Sequence, residues 1–419
     1  MSRPHPTGAT APTASQRRSL ATIGEVFSRI AEGAVTLHLP DGRSRRFGPL
    51  DAELDAELTV HDWEFFPRLL HGASVGLGES YVDGQWSCPD LVTLLRVLIA
   101  NRDVLRPVSV GAFAQVIGDR ALHAVRGNRR GQATRNIAAH YDLSNALYER
   151  FLDETMTYSS AVFPSPEATL AEAQREKYRR LASRARIGAD DHVLEIGCGW
   201  GGFAEYAAGE LGCRVTGVTL STEQADYARD RMRRRGLDDR VEIVVIDYRD
   251  VAGSYDRIVS IEMLEAVGHR YLPTFFAAVD RLLADDGLAA LQVITIPEQR
   301  YTNYRLRPDF IQRHVFPGGH LPSLEAMTRA MRRGSQLVVE DVENIAPHYA
   351  ETLRRWRGRF LANADEVRAL GFDDAFVRFW EFYLAYCEAA FRARWVNDLQ
   401  LTLTRPGNPT LGRGPYAGD

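Results

Sequence analysis

The sequence is poor in cysteine and almost devoid of lysine. Its 419 residues include four cysteines, Cys88, Cys198, Cys213 and Cys387, none of them in a CxxC pair or another metal-ligand spacing. This usage gives no support for a disulfide framework or a zinc site and is typical of a reducing compartment. Lys177 is the only lysine among 51 basic residues. We attribute this bias towards arginine to a GC-rich coding sequence, and we predict no metal ligands.

Long apolar runs are also missing. No uninterrupted run approaches the roughly 18 residues of a membrane span, and residues 1–19 lack the apolar core of a signal peptide. The net charge, 51 − 55 = −4, argues against wholesale binding of nucleic acid. We therefore expect a cytoplasmic protein that meets a membrane only at its surface.

Shifts in composition divide the chain into five segments. We predict a disordered N-terminus at 1–19, a smaller α+β domain at 20–122, a linker at 123–136, a larger domain at 137–405 and a tail at 406–419. The first segment is rich in Ser, Thr, Pro and Ala, a composition typical of disorder. The linker is polar, basic and punctuated by glycine.

In the larger domain, short apolar runs alternate with helical patterns. The strand candidates lie at 191–199, 213–221, 241–247, 255–263 and 287–296. Such alternation predicts a parallel, doubly wound sheet that is buried on both faces.

The first of these strands ends in VLEIGCGWGG (193–202), with Glu195 inside the strand and Gly197 and Gly199 at its carboxyl end. Ligands of open α/β sheets bind beside that end, where glycines let the backbone approach them. The pattern is E-x-G-x-G, not the dinucleotide pattern G-x-G-x-x-G, and the second strand ends in Thr219 where a nicotinamide site would place an acid. A plain strand-to-helix turn is the alternative. The combination resembles class I S-adenosylmethionine-dependent methyltransferases, whose Rossmann-like α/β fold has a seven-stranded, mostly parallel sheet.

A longer series of motifs narrows the resemblance. In chain order they are GLGESYVDGQWSCPDL (76–91), HYDLSNALYERFLDETMTYSSAVF (140–163), GVTLSTEQ (217–224), DYRD (247–250), EAVGHRYL (265–272), FIQRHVFPGGHLPS (310–323), HYAETLRRW (348–356) and YCEAAFRAR (386–394). Together they resemble the cyclopropane-fatty-acyl-phospholipid synthase family, which includes the mycolic acid methyltransferases. The first motif is similar to the N-terminal domain of the phospholipid-acting members. From it we expect the smaller domain to bind lipid or to form a homodimer.

The resemblance implies S-adenosylmethionine as the cofactor and assigns residues to it. Glu195, Gly197 and Gly199 would line its amino-acid and ribose end, Thr219 and Gln224 its ribose, Asp247 and Tyr248 its adenine, while Tyr141, Tyr158 and Ser159 would close over it. Ordinary aromatic packing is the alternative for Tyr141 and Tyr158.

The chemistry requires a base as well as a methyl donor. Methyl transfer to a cis double bond leaves a carbocation, from which a base must remove a proton. The resemblance implies that a bound bicarbonate ion is this base and that it is held by Ser160, Glu265, Gln292, Ile294 and Tyr349. Gln292 replaces a histidine of the family, and a glutamine can donate a hydrogen bond but cannot titrate.

Two acids lie inside VSIEMLEAVGHR (259–270). We assign a catalytic role to Glu265, which matches the family residue, and a supporting role to Glu262. We expect an enzyme at the inner face of the membrane that converts unsaturated acyl chains of phospholipids into cyclopropane fatty acids. A methylene- or methyl-branched product is the nearest alternative, and a non-catalytic lipid-binding protein is a third.

Overall fold

A computed structural model describes residues 11–105, 144–306 and 308–411. The predicted linker at 123–136 and Tyr141 lie outside these ranges. The helices are α1 Ala14–Phe27, α2 Phe65–Val82, α3 Leu91–Ala100, α4 Asn145–Glu149, α5 Leu170–Arg184, α6 Gly202–Tyr206, α7 Thr222–Arg235, α8 Leu272–Leu282, α9 Glu298–Leu306, α10 Leu324–Gly334, α11 Ala346–Ala362, α12 Ala364–Ala369 and α13 Asp374–Arg392.

The strands belong to two sheets. They are β1 Ala34–His38, β2 Ser44–Phe47, β3 Asp55–Val60, β4 Trp86–Ser87, β5 His192–Ile196, β6 Arg214–Thr219, β7 Val241–Val245, β8 Tyr255–Ile261, β9 Leu283–Thr295, β10 Val338–Asn344 and β11 Asn397–Thr404. The larger sheet has the order β10-β11-β9-β8-β5-β6-β7, and only β11 in it runs antiparallel to its neighbours. This arrangement confirms the predicted seven-stranded, mostly parallel sheet.

The described residues divide into two compact units. One contains those of Met1–Leu122, Leu306–Val315 and Trp356–Trp395, and the other those of His123–Arg305, Phe316–Arg355 and Val396–Asp419. The predicted larger domain at 137–405 is therefore not continuous. We call the two the N-terminal unit and the cofactor unit.

In the N-terminal unit the small sheet has the order β2-β1-β3-β4. The GLGESYVDGQW motif holds this unit together. Trp86 is fully buried, and its Nε1 donates to Leu77 O at 3.1 Å. Tyr81 Oη donates to Glu381 Oε2 on α13 at 2.8 Å, and Arg378 Nε donates to Tyr81 O at 2.6 Å. These bonds explain why α13, distant in sequence, packs with the N-terminal residues.

The predicted disorder at 1–19 is wrong for residues 14–19, which begin α1. Thr13 caps this helix: Gln16 N–H donates to its hydroxyl at 3.3 Å, and its own N–H donates to Gln16 Oε1 at 2.9 Å. Such a capping box satisfies two orphan donors of the first turn. Ile23 and Phe27 then bury one face of the helix. Thr13, part of the composition that suggested disorder, serves here as the helix cap.

Within the described part of the chain, no helix combines the length and the apolar character needed to span a bilayer.

Candidate active site

A cleft of about 1200 Å³, open to solvent, lies at the carboxyl ends of the parallel strands of the cofactor unit. It is lined by Glu195–Gly199 at the end of β5, by Val218–Leu220 at the end of β6, by Ile246–Arg249 after β7 and by Ile261–Met263 at the end of β8. This is the edge of an open α/β sheet at which ligands bind.

The glycine turn after β5 forms one wall of the cleft. Gly197 and Gly199 have φ of +85° and +52°, a left-handed conformation that favours glycine. A Cβ on Gly197 would lie 2.7 Å from Met263 Cγ, closer than packed carbons approach. The turn therefore requires glycine at this position for both its backbone and its packing.

Glu195 presents a buried carboxyl group to the same wall. It lies within β5 and is 3% exposed. Burial raises its pKa to about 8, and the nearby Lys177 opposes the shift. Its Oε2 has no hydrogen-bond partner among the described residues. A buried polar atom of this kind is normally satisfied by a ligand or by water.

The end of β6 and the start of α7 supply two further polar groups. Thr219 Oγ1 donates to Gln224 Oε1 at 3.0 Å and accepts from Ser221 N–H at 3.1 Å. Ser221 caps α7 by accepting from Gln224 N–H at 3.2 Å. Thr219 and Gln224 both line the cleft, as the predicted ribose site requires.

Asp247 and Tyr248, predicted to hold the adenine, follow β7 and line the cleft. Asp247 accepts from Arg249 N–H at 3.0 Å and pairs with the Arg249 guanidinium. Tyr248 packs edge-on against Phe275 with ring centroids 5.5 Å apart, and burial raises its pKa to about 12. The phenol of Tyr248 is therefore neutral at physiological pH.

Tyr158 and Ser159 also line the cleft. Tyr158 packs edge-on against Tyr148 at 5.4 Å between centroids, so the aromatic-packing alternative holds for this residue as well. Ser159 Oγ accepts from Lys177 Nζ at 2.7 Å.

Glu262, directly after β8, lines the cleft and is the centre of a buried hydrogen-bond network, which we call the anion end. Its Oε1 accepts from Ser160 N–H at 2.7 Å and from Gln292 Nε2 at 2.8 Å. Its Oε2 accepts from Tyr349 Oη at 2.8 Å. Three of the five residues predicted to bind bicarbonate thus converge on one glutamate.

Two residues of β11 extend the network. Gln292 Oε1 accepts from Gln400 Nε2 at 3.0 Å, and Gln292 Nε2 lies 3.2 Å from Asp398 Oδ2. Burial and the carboxylates of Glu262 and Glu265 raise the pKa of Asp398 well above its usual value. Burial raises the pKa of Glu262 too, but Lys177 and three donors favour its ionised form. We therefore assign the negative charge to Glu262 and the proton to Asp398.

Glu265, to which the sequence assigned the catalytic role, lies outside the lining of the cleft. Its Oε1 accepts from Ile294 N–H at 2.5 Å, while its Oε2 has no partner among the described residues. Burial, together with the Glu262 charge, raises the pKa of Glu265 to about 8. The Glu265 side chain is therefore mostly neutral at pH 7.

Lys177 on α5 supplies the positive charge of this region. It is fully buried, and burial lowers its pKa to about 8. The carboxyls of Glu262, Asp153, Asp398 and Glu195 oppose that shift. The Lys177 ammonium thus supplies a buried counter-charge to the Glu262 carboxylate.

The residues predicted to hold bicarbonate do not fit that ion. Ser160 N–H, Gln292 and Tyr349 donate to Glu262, and Ile294 N–H donates to Glu265. A second anion would face donors that are already satisfied and a carboxylate of the same sign, which is costly in a buried site.

Sequence reasoning missed Lys177, Asp398 and the central position of Glu262. A signal existed for two of them. Lys177 is the one lysine in a chain that otherwise uses arginine, and Glu262 stands inside an apolar strand pattern. No sequence signal pointed to Asp398, because only strand pairing brings β11 beside β9.

The cofactor end of the cleft fits S-adenosylmethionine. The glycine turn leaves open space, since nothing lies within 4 Å of a Cβ built on Gly199. The unpartnered Oε2 of Glu195 and the side chain of Gln224 offer polar atoms to a ligand. Tyr158 and Tyr248 add aromatic surface.

Comparison with known proteins agrees with this fit. Residues 128–401 match the family described as mycolic acid cyclopropane synthetase. The chain is 43% identical to the tuberculostearic acid methyltransferase of Mycobacterium tuberculosis, over 89% of this chain and 83% of that protein. It is 35% identical to the cyclopropane-fatty-acyl-phospholipid synthase of Escherichia coli K12, over 85% and 90%.

A solved structure points the same way. The mycolic acid cyclopropane synthase CmaA1 complexed with SAH and CTAB is 30% identical, with a TM-score of 0.60 over 65% of this chain and 98% of that one. These findings support S-adenosylmethionine-dependent methylation or cyclopropanation of lipid double bonds. The chain belongs to the mycolic acid cyclopropane synthetase family and is an S-adenosylmethionine-dependent methyltransferase.

Proposed function

We propose that this enzyme transfers a methyl group from S-adenosylmethionine to the cis double bond of an unsaturated acyl chain in a membrane phospholipid. The observation that supports the proposal most is the cleft of the cofactor unit. The cleft is lined by an open glycine turn and by Glu262, an ionised carboxylate that can accept a proton.

The residues of the cleft divide the work. S-adenosylmethionine supplies an electrophilic methyl group on its sulfonium. Glu195, Gln224 and Asp247 hold the cofactor, while the rings of Tyr158 and Tyr248 limit the access of water. Aromatic faces also stabilise a cation that forms beside them. Holding an alkene and a methyl donor in line replaces a rare bimolecular encounter with an oriented one.

Two products can follow from this methyl transfer. We propose a methylene-branched chain first, because the relative at 43% identity is named a methyltransferase, not a cyclopropane synthase. Glu262 at the proton-accepting end adds support, since the bicarbonate site expected for ring closure is altered. The cyclopropane, which the sequence favoured, is the second candidate and is supported by the 35% identity to the Escherichia coli synthase.

The test begins with purified protein, S-adenosylmethionine and liposomes of dioleoyl phospholipid. We expect mass spectrometry of the released fatty acids to show the gain of one carbon in the acyl chain. The proposal fails if the wild-type protein binds S-adenosylmethionine but no acyl chain gains a carbon. The two possible products are isomers of the same mass, so proton NMR distinguishes them. A cyclopropane gives upfield ring protons, whereas a methylene branch gives vinylidene protons.

We further propose that the N-terminal unit binds lipid or forms a homodimer, and that the enzyme docks on the inner face of the membrane. The relative named as a phospholipid synthase covers 85% of this chain, which includes most of that unit. Co-sedimentation with anionic vesicles tests docking, and light scattering of the full chain tests the homodimer. Protein that stays in the supernatant, or a monomer mass, would contradict the respective proposal.

A further inference from the structure

We propose that the carboxylate of Glu262, and not a dissolved anion, removes the proton that completes the reaction. This inference rests on the methyl transfer proposed above and assigns a base to it.

The first support is geometric. A carboxylate and a bicarbonate ion present the same pair of oxygens on a planar carbon. Glu262 places its oxygens against three of the donors expected for the ion, at 2.7 Å from Ser160 N–H, 2.8 Å from Gln292 Nε2 and 2.8 Å from Tyr349 Oη. The Glu262 carboxylate thus takes the hydrogen bonds that the ion would accept.

The second support is the backbone of Glu262. Its φ is +48°, a left-handed conformation that is unfavourable for a residue with a side chain. Its N–H donates to Gln292 O at 2.8 Å, which fixes the turn after β8. Strain of this kind persists where the surroundings enforce it, and it clusters at functional sites. Here the strained turn directs the carboxylate into the donor set.

The third support is access to the cleft. Glu262 lines it, whereas Ser160, Gln292 and Tyr349 do not. Two other carboxyls, Glu195 and Asp247, also line the cleft, and Asp247 is paired with Arg249. Glu262 therefore joins the buried network to the space in which the substrate must lie.

The fourth support is charge. Lys177 is the only lysine of the chain, and its buried ammonium faces Glu262, Asp153, Asp398 and Glu195. The ammonium already has Glu262 as a counter-charge, so an additional anion would bring a further negative charge beside these buried carboxyls. Such a charge is strongly disfavoured in a low-dielectric interior.

The step balances without a further reactant. The π electrons of the double bond form the new bond to the methyl carbon, and the neighbouring carbon becomes cationic. For the methylene product, a hydride moves from the methylated carbon to that cation. A C–H bond of the new methyl then breaks, its proton binds to Glu262, and its electron pair forms the C=C bond. Without the hydride shift, the same pair closes the cyclopropane. Glu262 afterwards releases the proton to water.

The first experiment withdraws bicarbonate from the wild-type enzyme. Turnover on oleoyl vesicles is measured in buffer freed of carbon dioxide and again after bicarbonate is added back. We expect the two rates to agree within about twofold. A rate that falls about tenfold on depletion and recovers with bicarbonate would overturn the proposal. Absence of any product under both conditions would instead refute the proposed function.

The second experiment removes the base. Glu262→Ala should lower turnover at least about 100-fold, the usual contribution of a general base, and added formate or bicarbonate should restore about tenfold by filling the vacated donor set. Glu262→Gln should be equally slow but should not respond, because its amide still fills the site. Exposed Glu223→Ala is the matched control and should behave as wild type. Calorimetry should show S-adenosylmethionine affinity within about threefold for Glu262→Gln. Turnover of Glu262→Gln near the wild-type rate would refute the role of Glu262.

Discussion

The cofactor end and the anion end of the cleft are built in opposite ways. The cofactor end is a glycine turn with open space beside it, and Glu195 Oε2 has no partner there among the described residues. At the anion end, the Ser160 N–H, Gln292 on β9 and Tyr349 on α11 all donate to Glu262. One end is prepared to receive a ligand, whereas the other already contains the charged group that a ligand would bring.

This difference shows that the cofactor end depends on a bound molecule, whereas the anion end depends on the fold itself. Binding at the cofactor end must overcome the cost of ordering a free molecule. At the anion end no free molecule has to be ordered, because folding already places Glu262 in a strained turn and buries Lys177. Substitutions at the cofactor end should therefore lower the affinity for S-adenosylmethionine. Substitutions at the anion end should lower stability or turnover.

The largest expected effect is on stability at the anion end. Lys177→Met should lower the free energy of unfolding of the apoprotein on the order of 3 kcal/mol, as breaking a buried charge pair does, because Glu262 loses its counter-charge. Urea denaturation at pH 7 measures this. Arg179→Met changes an exposed residue of the same helix and should cause little change. Equal effects of the two substitutions would contradict the contrast.

The next effect is on affinity at the cofactor end. Gly197→Ala should weaken S-adenosylmethionine binding about 100-fold, or about 3 kcal/mol, because its Cβ would lie 2.7 Å from Met263 Cγ. Gly236→Ala is the matched control: φ is +66° there, but nothing lies within 4 Å of its Cβ. Calorimetry measures both. Similar losses would show that backbone strain alone, and not the shape of the cleft, decides binding.

A smaller effect on turnover distinguishes Glu265 from Glu262. Glu265→Gln should lower turnover by only about tenfold, well below the loss of a general base. The glutamine keeps a neutral hydrogen-bonding side chain opposite Ile294 N–H. Steady-state rates compared with those of Glu262→Gln measure the difference. If Glu265→Gln were the slower enzyme, the catalytic assignment made from the sequence would be correct.

The smallest expected effect is on the pH dependence of the free energy of unfolding. The pKa of Glu265 is raised from 4.5 to about 8, so between these values the folded apoprotein holds a proton that the unfolded chain has lost. The free energy of unfolding therefore falls as pH rises through this window. Glu265→Gln should make that decline shallower, on the order of 1 kcal/mol per pH unit. Urea denaturation at pH 5.5, 6.5 and 7.5 checks the slope, with exposed Glu223→Gln as the control that should leave it unchanged.

The sequence predicted the cofactor end better than the anion end for a physical reason. A glycine turn after a buried strand is a local pattern, and strands that alternate with helices determine a parallel sheet. The anion end depends on contacts distant in sequence: Gln400 on β11 reaches Gln292 on β9, and Tyr349 on α11 reaches Glu262. No local pattern encodes these pairs, so Glu262 was interpreted as a supporting residue.

The boundaries of the units show the same limit. The predicted larger domain at 137–405 includes the residues of α13, but this helix packs with Tyr81 and belongs to the N-terminal unit. Likewise β10, whose side chains are largely exposed, lacks the apolar run that predicts a buried strand.

The most direct test of the central claim is the binding of ¹³C-labelled bicarbonate to the purified enzyme, followed by NMR. We expect no saturable broadening of the bicarbonate resonance with the wild-type protein, because Glu262 occupies the donor set, and clear broadening with Glu262→Ala. Saturable binding to the wild-type enzyme that Tyr349→Phe abolishes would contradict it.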